Sequence, residues 1–136
     1  MQFVIQQEPS GCGLAACAAL ARLSYDQIKT KANAMGIFAE DKALWSQTDH
    51  VRKLLAEFDI ALSPVETPFD SWQQLPDKAL LAIKWHKEHD KPFWHWVVFS
   101  RVAGEAVVLD SKKALKNHRR KDFGRMQPKW YIAVLD

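Results

Sequence analysis

Residues 93–110 read FWHWVVFSRVAGEAVVLD. Within them, the runs at 94–102 and 106–109 combine valine with aromatic residues, which favour the extended backbone of β-strands. Residues 102–105 (VAGE) separate the two runs and predict a tight hairpin turn. The stretch therefore predicts two neighbouring antiparallel strands, around which a sheet is built.

The rest of the chain divides into a helical first half and an extended second half. Short apolar runs at residues 60–65, 80–85 and 130–135 predict further strands. The helical patterns precede them. This separation of helices from strands predicts an α+β fold, in which N-terminal helices pack on a C-terminal antiparallel sheet.

Three helices are predicted in the first half. Residues 13–23 are rich in alanine and leucine, and a Pro-Ser-Gly turn precedes them. Ser24 and Gln27 fit a capping box that opens a second helix. Apolar residues at helical spacing predict a third helix, which begins at Ser46 or Thr48.

The composition is that of an ordinary globular domain. The 136 residues are 48% hydrophobic and 26% charged, a balance that excludes a disordered chain. The length and the absence of linkers and repeats predict one domain spanning residues 1–136. No apolar run reaches the roughly 20 residues that span a bilayer, and residues 1–5 lack the charged start of a signal peptide. We therefore expect a cytoplasmic protein, unless a dedicated system exports it without a signal peptide.

Of the two cysteines, Cys12 has the sequence environment of a nucleophile. It lies between Gly11 and Gly13 where a loop gives way to a helix, so unpaired backbone N–H groups and the helix dipole favour a thiolate and can donate to an oxyanion. The two glycines leave room for an acyl substrate beside the sulfur, which makes both of them candidate substrate-binding residues. Cys17 lies inside the alanine-rich helix and is predicted to be a core residue.

His95 is the candidate base for this thiol. It lies near the start of the first hairpin strand, and Asp110 directly follows the second. Because an antiparallel hairpin brings the outer ends of its strands together, we expect the two side chains to be close in space. Cys12, His95 and Asp110 then provide a nucleophile, a base and a group that orients the base. Trp94 and Trp96 flank the histidine and are candidate substrate-binding residues that shield the pair from water.

In their order and spacing, these residues resemble those of the papain-like cysteine peptidases, and most closely the double-glycine leader peptidase domains that process bacteriocins. The resemblance covers nearly the whole chain. The matching positions are Gln6 placed six residues before Cys12, the segment His95-Trp96-Val97-Val98, Asp110, and a final segment containing Phe123 and Trp130.

The resemblance implies a papain-like fold and a peptidase mechanism. Gln6 would supply the side-chain amide of an oxyanion hole, although the residues alone leave Gln7 as the alternative. Cys12 would attack a peptide or isopeptide carbonyl, and His95 would protonate the leaving amine. No metal or organic cofactor is required. The implied substrate is a peptide or protein, such as a leader peptide that ends in two small residues.

Two other functions are compatible with the same sequence. An amidase or an acyltransferase could use the same triad, because a fold and a triad do not define the bond that is cleaved. A catalytically silent peptide-binding module could also retain the fold. An electrophile that labels Cys12 would exclude the second alternative.

Basic and histidine-containing segments lie outside the triad. The segment from Lys112 to Lys121 is expected to be a solvated loop, and as a binding surface it would favour an acidic substrate or an acidic protein partner. Nucleic acid is a poor fit because the loop lacks interleaved aromatic residues. His86 and His89 match no zinc motif and are assigned to a polar loop. His50 and His118 are expected to be surface residues.

Overall fold

Three α-helices form the first part of the chain. The computed structural model describes residues 1–135, and the helices are α1 (Cys12–Ala21), α2 (Tyr25–Ala34) and α3 (Asp49–Ala56). The capping box of α2 is present. Ser24 Oγ accepts a hydrogen bond from the Gln27 N–H at 3.1 Å, and Gln27 Oε1 accepts one from the Ser24 N–H at 2.9 Å. All three helix predictions are confirmed, and α3 begins directly after Thr48.

Within residues 1–135, six antiparallel strands form one sheet. They are β1 (Thr67–Pro68), β2 (Lys78–Glu88), β3 (Lys91–Val102), β4 (Glu105–Leu109), β5 (Arg119–Arg120) and β6 (Pro128–Ala133). Their order across the sheet is β1-β6-β2-β3-β4-β5. The two longest strands, β2 and β3, are neighbours near its centre. The three helices pack on this sheet, so the α+β architecture with a C-terminal antiparallel sheet is confirmed.

The β3–β4 hairpin has the two-residue turn that its sequence predicts. Ala103 and Gly104 have φ values of 52° and 81°, and positive φ at both turn positions matches the twist of paired strands. The register pairs Val98 with Leu109 at the far end of the hairpin. This register brings the start of β3 close to the residue that follows β4.

The strand predicted at residues 60–65 is wrong. Only Leu62 forms an isolated β-bridge there. The Ser63 N–H donates to the Ala133 carbonyl at 2.9 Å, but Pro64 has no N–H to continue the ladder. Strand β5 could not be predicted, because its two residues are too few to show the alternation of apolar and polar side chains that indicates a strand.

Helix α1 packs on one face of the sheet through small side chains. Its residues 12–19 are all buried, and four of these eight are alanines, which allows a close approach between helix and sheet. The facing sheet residues include Leu80, Trp96 and Ile132. This contact holds the start of α1 against the sheet.

The opposite face of the sheet is also apolar. Phe99 and Met126 are completely buried there, and Trp72 and Phe123 cover them from two short 3-10 turns. Two buried faces explain the nearly continuous hydrophobic runs of β2 and β3. Within residues 1–135, no helix has the length and apolar character needed to cross a bilayer.

Candidate active site

Cys12 is the first residue of α1. Gly11 precedes it as the N-cap and contributes no side-chain hydrogen bond, so the first helical N–H groups have no capping acceptor. The Cys12 N–H itself has no hydrogen-bond partner among the described residues. The sulfur therefore lies at the positive end of the helix dipole, where negative charge is stabilised.

The structure brings His95 between Asp110 and Cys12. His95 Nε2 lies 2.7 Å from Asp110 Oδ1, and the Cys12 thiol is the second neighbour whose interactions raise the pKa of the imidazole. Because Nε2 is engaged by the carboxylate, we infer that Nδ1 is the atom that faces the sulfur. The three residues come from β3, from the segment after β4 and from the start of α1.

The surroundings of His95 favour its protonated form. Burial opposes a charge on the ring, but the hydrogen bonds to Asp110 and Cys12 and the charges of these partners outweigh that effect. Together they raise the pKa of His95 to about 9. At neutral pH the ring of His95 is therefore an imidazolium.

Asp110 is held as a buried carboxylate by several donors. Besides His95, it accepts hydrogen bonds from the Lys112 N–H at 3.0 Å and from Arg120 Nη1 at 2.8 Å. Burial alone would raise the pKa of Asp110, but the bond to His95 and these two further donors hold it far below its usual range. The carboxylate is therefore charged at neutral pH and can anchor the imidazolium.

Arg120 is a site residue that cannot be recognised from the amino-acid sequence, which predicts a solvated loop for the basic segment around it. Its side chain is only 10% exposed, and its guanidinium also forms a bidentate pair with Asp122 at 2.9 and 2.7 Å. The pairing of Arg120 with Val108 across β4 and β5 brings it beside Asp110. An arginine and an acid two residues apart are the only clue in the sequence.

Gln6 is buried next to the segment that follows Asp110. Its Oε1 accepts a hydrogen bond from Ser111 Oγ at 2.7 Å, and its Nε2 donates to the carbonyls of Glu8 and Pro9 at 2.9 and 3.0 Å. Both amide hydrogens are thus used within the protein. Gln7 is exposed, so of the two candidate glutamines only Gln6 is held firmly in the site.

The glycines beside Cys12 make room for neighbouring side chains of the protein. A Cβ atom at Gly13 would overlap the imidazole of His50, and one at Gly11 would overlap the Tyr25 hydroxyl. Both glycines are themselves buried. Direct contact of Gly11 and Gly13 with a substrate stays a prediction.

His50 and His118 are buried, which corrects their assignment to the surface. His50 Nδ1 donates to Gln47 Oε1 at 3.1 Å, whereas its Nε2 has no partner among residues 1–135. Burial lowers the pKa of His50 to about 4. His118 stacks on Phe3, with ring centroids 4.9 Å apart, and its Nδ1 donates to the Asp110 carbonyl at 2.8 Å.

Cys17 has the core position that the sequence predicts. It is completely buried, and its thiol is directed at the Val51 carbonyl at 3.8 Å. Burial strongly raises the pKa of this thiol. Both cysteines are free, and Cys17 is not positioned as a second nucleophile.

Three tryptophans pack edge to face below the site. Trp94, Trp96 and Trp130 have ring centroids 5.0 to 5.8 Å apart, an arrangement that adds to their burial energy. Trp96 is completely buried, so it supports the site from within the core and does not line the cleft, contrary to the sequence-based expectation. Trp94 lines a surface cleft.

This cleft has a volume of about 480 Å³ and includes Gln6 and His95 in its lining. Its other walls come from the turn at residues 7–9, from the β2–β3 hairpin and from the loop after Asp110. His86, on the hairpin, contacts Glu88 at 2.9 Å and the Lys84 carbonyl at 3.0 Å. No group of three histidine, cysteine or acidic side chains within residues 1–135 is placed to hold a metal ion.

We compared the chain with protein-family models, with curated proteins and with solved structures. No family model matches it, and no curated protein or solved structure is significantly similar.

Proposed function

We propose that the protein is a papain-like cysteine peptidase that hydrolyses a peptide or isopeptide bond with Cys12, His95 and Asp110. The observation that carries this proposal is the imidazole of His95, which is hydrogen-bonded to Asp110 at 2.7 Å and has the Cys12 thiol at the start of α1 as its other interacting neighbour. A buried cysteine with a purely structural role needs neither a helix N-terminus nor a charged imidazole beside it.

In the acylation step, the Cys12 thiolate attacks the substrate carbonyl carbon and forms a tetrahedral oxyanion. The Cys12 N–H, which has no partner within the described chain, donates to that oxyanion. His95 transfers its proton from Nδ1 to the departing amine, and the C–N bond breaks to leave a thioester. Asp110 keeps the ring oriented throughout.

In the deacylation step, neutral His95 accepts a proton from water while the water oxygen attacks the thioester. The carbon–sulfur bond breaks, the substrate leaves as a carboxylic acid, and the thiolate–imidazolium pair is restored. The step consumes one water molecule and requires no other reactant.

Gln6 takes part in this scheme at the entrance to the oxyanion site. Its Nε2 donates to the Glu8 and Pro9 carbonyls. It can therefore donate a hydrogen bond to the oxyanion only after one of these two bonds is broken. The backbone N–H of Cys12 is therefore the principal donor in our proposal, and Gln6 is the second.

The papain-like fold is supported by the arrangement of the two layers. The nucleophile begins a helix that packs on an antiparallel sheet, His95 comes from β3 of that sheet, and Asp110 directly follows β4. We also propose that the protein acts in the cytoplasm, because both of its cysteines are free thiols.

The first test is the pH dependence of Cys12 alkylation by iodoacetamide, in a Cys17→Ala background. Alanine suits position 17 because the surrounding helix is built of buried alanines. We expect fast labelling that persists below pH 7, and a loss of about tenfold or more at that pH in His95→Ala. Hydrolysis of a mixed peptide library, followed by mass spectrometry, then identifies the bond that is cleaved.

Slow labelling with the same pH profile in both proteins would mean that no activated Cys–His pair exists. The peptidase proposal would then be wrong.

A further inference from the structure

The cleft beside His95 combines an apolar floor with a basic rim. Resting on the proposed peptidase function, we infer that the substrate is an acidic peptide segment, in which a large apolar side chain lies beside carboxylates close to the scissile bond. The floor and the rim support this inference separately.

The floor of the cleft is aromatic. Trp45, Phe93 and Trp94 all line it, and the rings of Trp45 and Phe93 pack edge to face with centroids 6.1 Å apart. Trp45 Nε1 donates to the Pro9 carbonyl at 3.1 Å, which fixes this ring at one wall. A preformed apolar floor of this kind takes a large apolar side chain.

The rim of the cleft is positively charged on two sides. Lys84 lies on the β2–β3 hairpin, and Lys112 and Lys113 lie on the loop after Asp110. All three are exposed. Within residues 1–135, none of them forms an ion pair.

The two acidic residues that line the cleft already have partners. Glu8 pairs with Lys29 at 2.6 Å and accepts a hydrogen bond from the Tyr25 hydroxyl. Glu88 contacts His86 at 2.9 Å. The three lysines are therefore not neutralised by the cleft itself, and their charges are available to carboxylates of a bound peptide.

Peptide binding to the Cys12→Ala protein tests this inference without requiring turnover. The probe is fluorescein-labelled Asp-Phe-Glu-Gly-Gly-Ala, and the comparison is its amide counterpart Asn-Phe-Gln-Gly-Gly-Ala. By fluorescence anisotropy at about 0.05 M salt, we expect the acidic peptide to bind about tenfold more tightly, with an advantage that shrinks at about 0.5 M salt. Replacing its phenylalanine by serine should weaken binding by about tenfold.

A matched pair of variants locates the effect in the cleft. Lys112→Gln/Lys113→Gln should abolish the preference for the acidic peptide. Lys116→Gln/Lys121→Gln makes the same change in net charge in the same segment, but neither residue lines the cleft, so it should leave the preference intact. The backbone N–H of Lys112 that binds Asp110 is retained in both proteins.

Three results would overturn the inference: equal binding of the two peptides, an equal loss of preference in the control variant, or tighter binding of an oligothymidylate than of the acidic peptide. Iodoacetamide labelling of native Cys12 separately reports whether the peptidase proposal itself fails.

Discussion

Replacement of Asp110 by asparagine should shift the basic limb of the activity profile to lower pH. The pKa of His95 is about 9, whereas an ordinary histidine has a pKa of 6.5. The protein therefore stabilises the protonated ring over the neutral ring by about 3 kcal/mol. The 2.7 Å bond to the Asp110 carboxylate is the first of the interactions that favour the charged ring. An uncharged amide cannot supply the Coulomb attraction, so we expect the basic midpoint to fall by about two pH units.

The sign follows from the proton that the ring must donate. In the native protein, His95 is protonated below about pH 9 and can deliver its proton to the leaving amine, and the rate is lost as the pH rises through that value. The assay is kcat/KM for a cleaved peptide, or Cys12 alkylation, between pH 5 and pH 10. In Asp110→Asn the protonated fraction of His95 at pH 8 falls about tenfold, so we expect kcat/KM at that pH to fall by about tenfold.

Asp122→Asn is the matched control. Asp122 also pairs with Arg120 but does not contact His95, so its replacement should leave the basic midpoint within about half a pH unit of the native value. A basic midpoint that stays near pH 9 in Asp110→Asn would refute the assignment of Asp110 as the group that holds the imidazolium.

Three further predictions concern neighbours of the site. Gly13→Ala should lower the free energy of unfolding by about 1–3 kcal/mol in urea titrations, because the new methyl group overlaps His50. Gly124→Ala is the control, because its methyl group meets no atom within 4 Å and should change the free energy of unfolding little. Buried His50 has a pKa of about 4, against 6.5 in the unfolded chain. Because the unfolded chain takes up this proton first as the pH drops, the free energy of unfolding should fall by about 3 kcal/mol between pH 6.5 and pH 4. A His50→Gln protein whose unfolding midpoint shows the same decline would contradict this. Arg120→Gln removes a positive charge next to Asp110, which should raise the pKa of His95 and so raise the basic midpoint of kcat/KM by about half a pH unit. This shift is opposite to the one expected for Asp110→Asn. A lower midpoint would show that Arg120 acts mainly by positioning the carboxylate.

Interactions between residues close in the chain can be predicted from the amino-acid sequence. The Ser24 capping box, the positive φ values at Ala103 and Gly104, and the alanine-rich α1 follow from backbone preferences that act over a few residues. The proximity of His95 to Asp110 is nearly as local, because the register of one tight hairpin brings the two side chains together.

The wrong predictions have equally specific causes. The sequence places His50 at the surface, because it does not show that the imidazole fills the space beside Gly13. It assigns Trp96 to the cleft, because alternation along β3 does not reveal which residues are completely buried when both faces of the sheet are apolar. In each case the deciding neighbour comes from another element.

Short-range periodicity, turn chemistry and side-chain type are enough to predict the helices, the central hairpin and three residues that can act as nucleophile, base and orienting acid. They do not predict that Arg120 holds Asp110, that Gln6 bonds to Ser111 from 105 positions away, or that lysines from strand β2 and from the loop after Asp110 border one cleft. These arrangements arise from the packing of distant segments, which brings together charges and hydrogen-bonding groups whose spacing along the chain carries no trace of their contact.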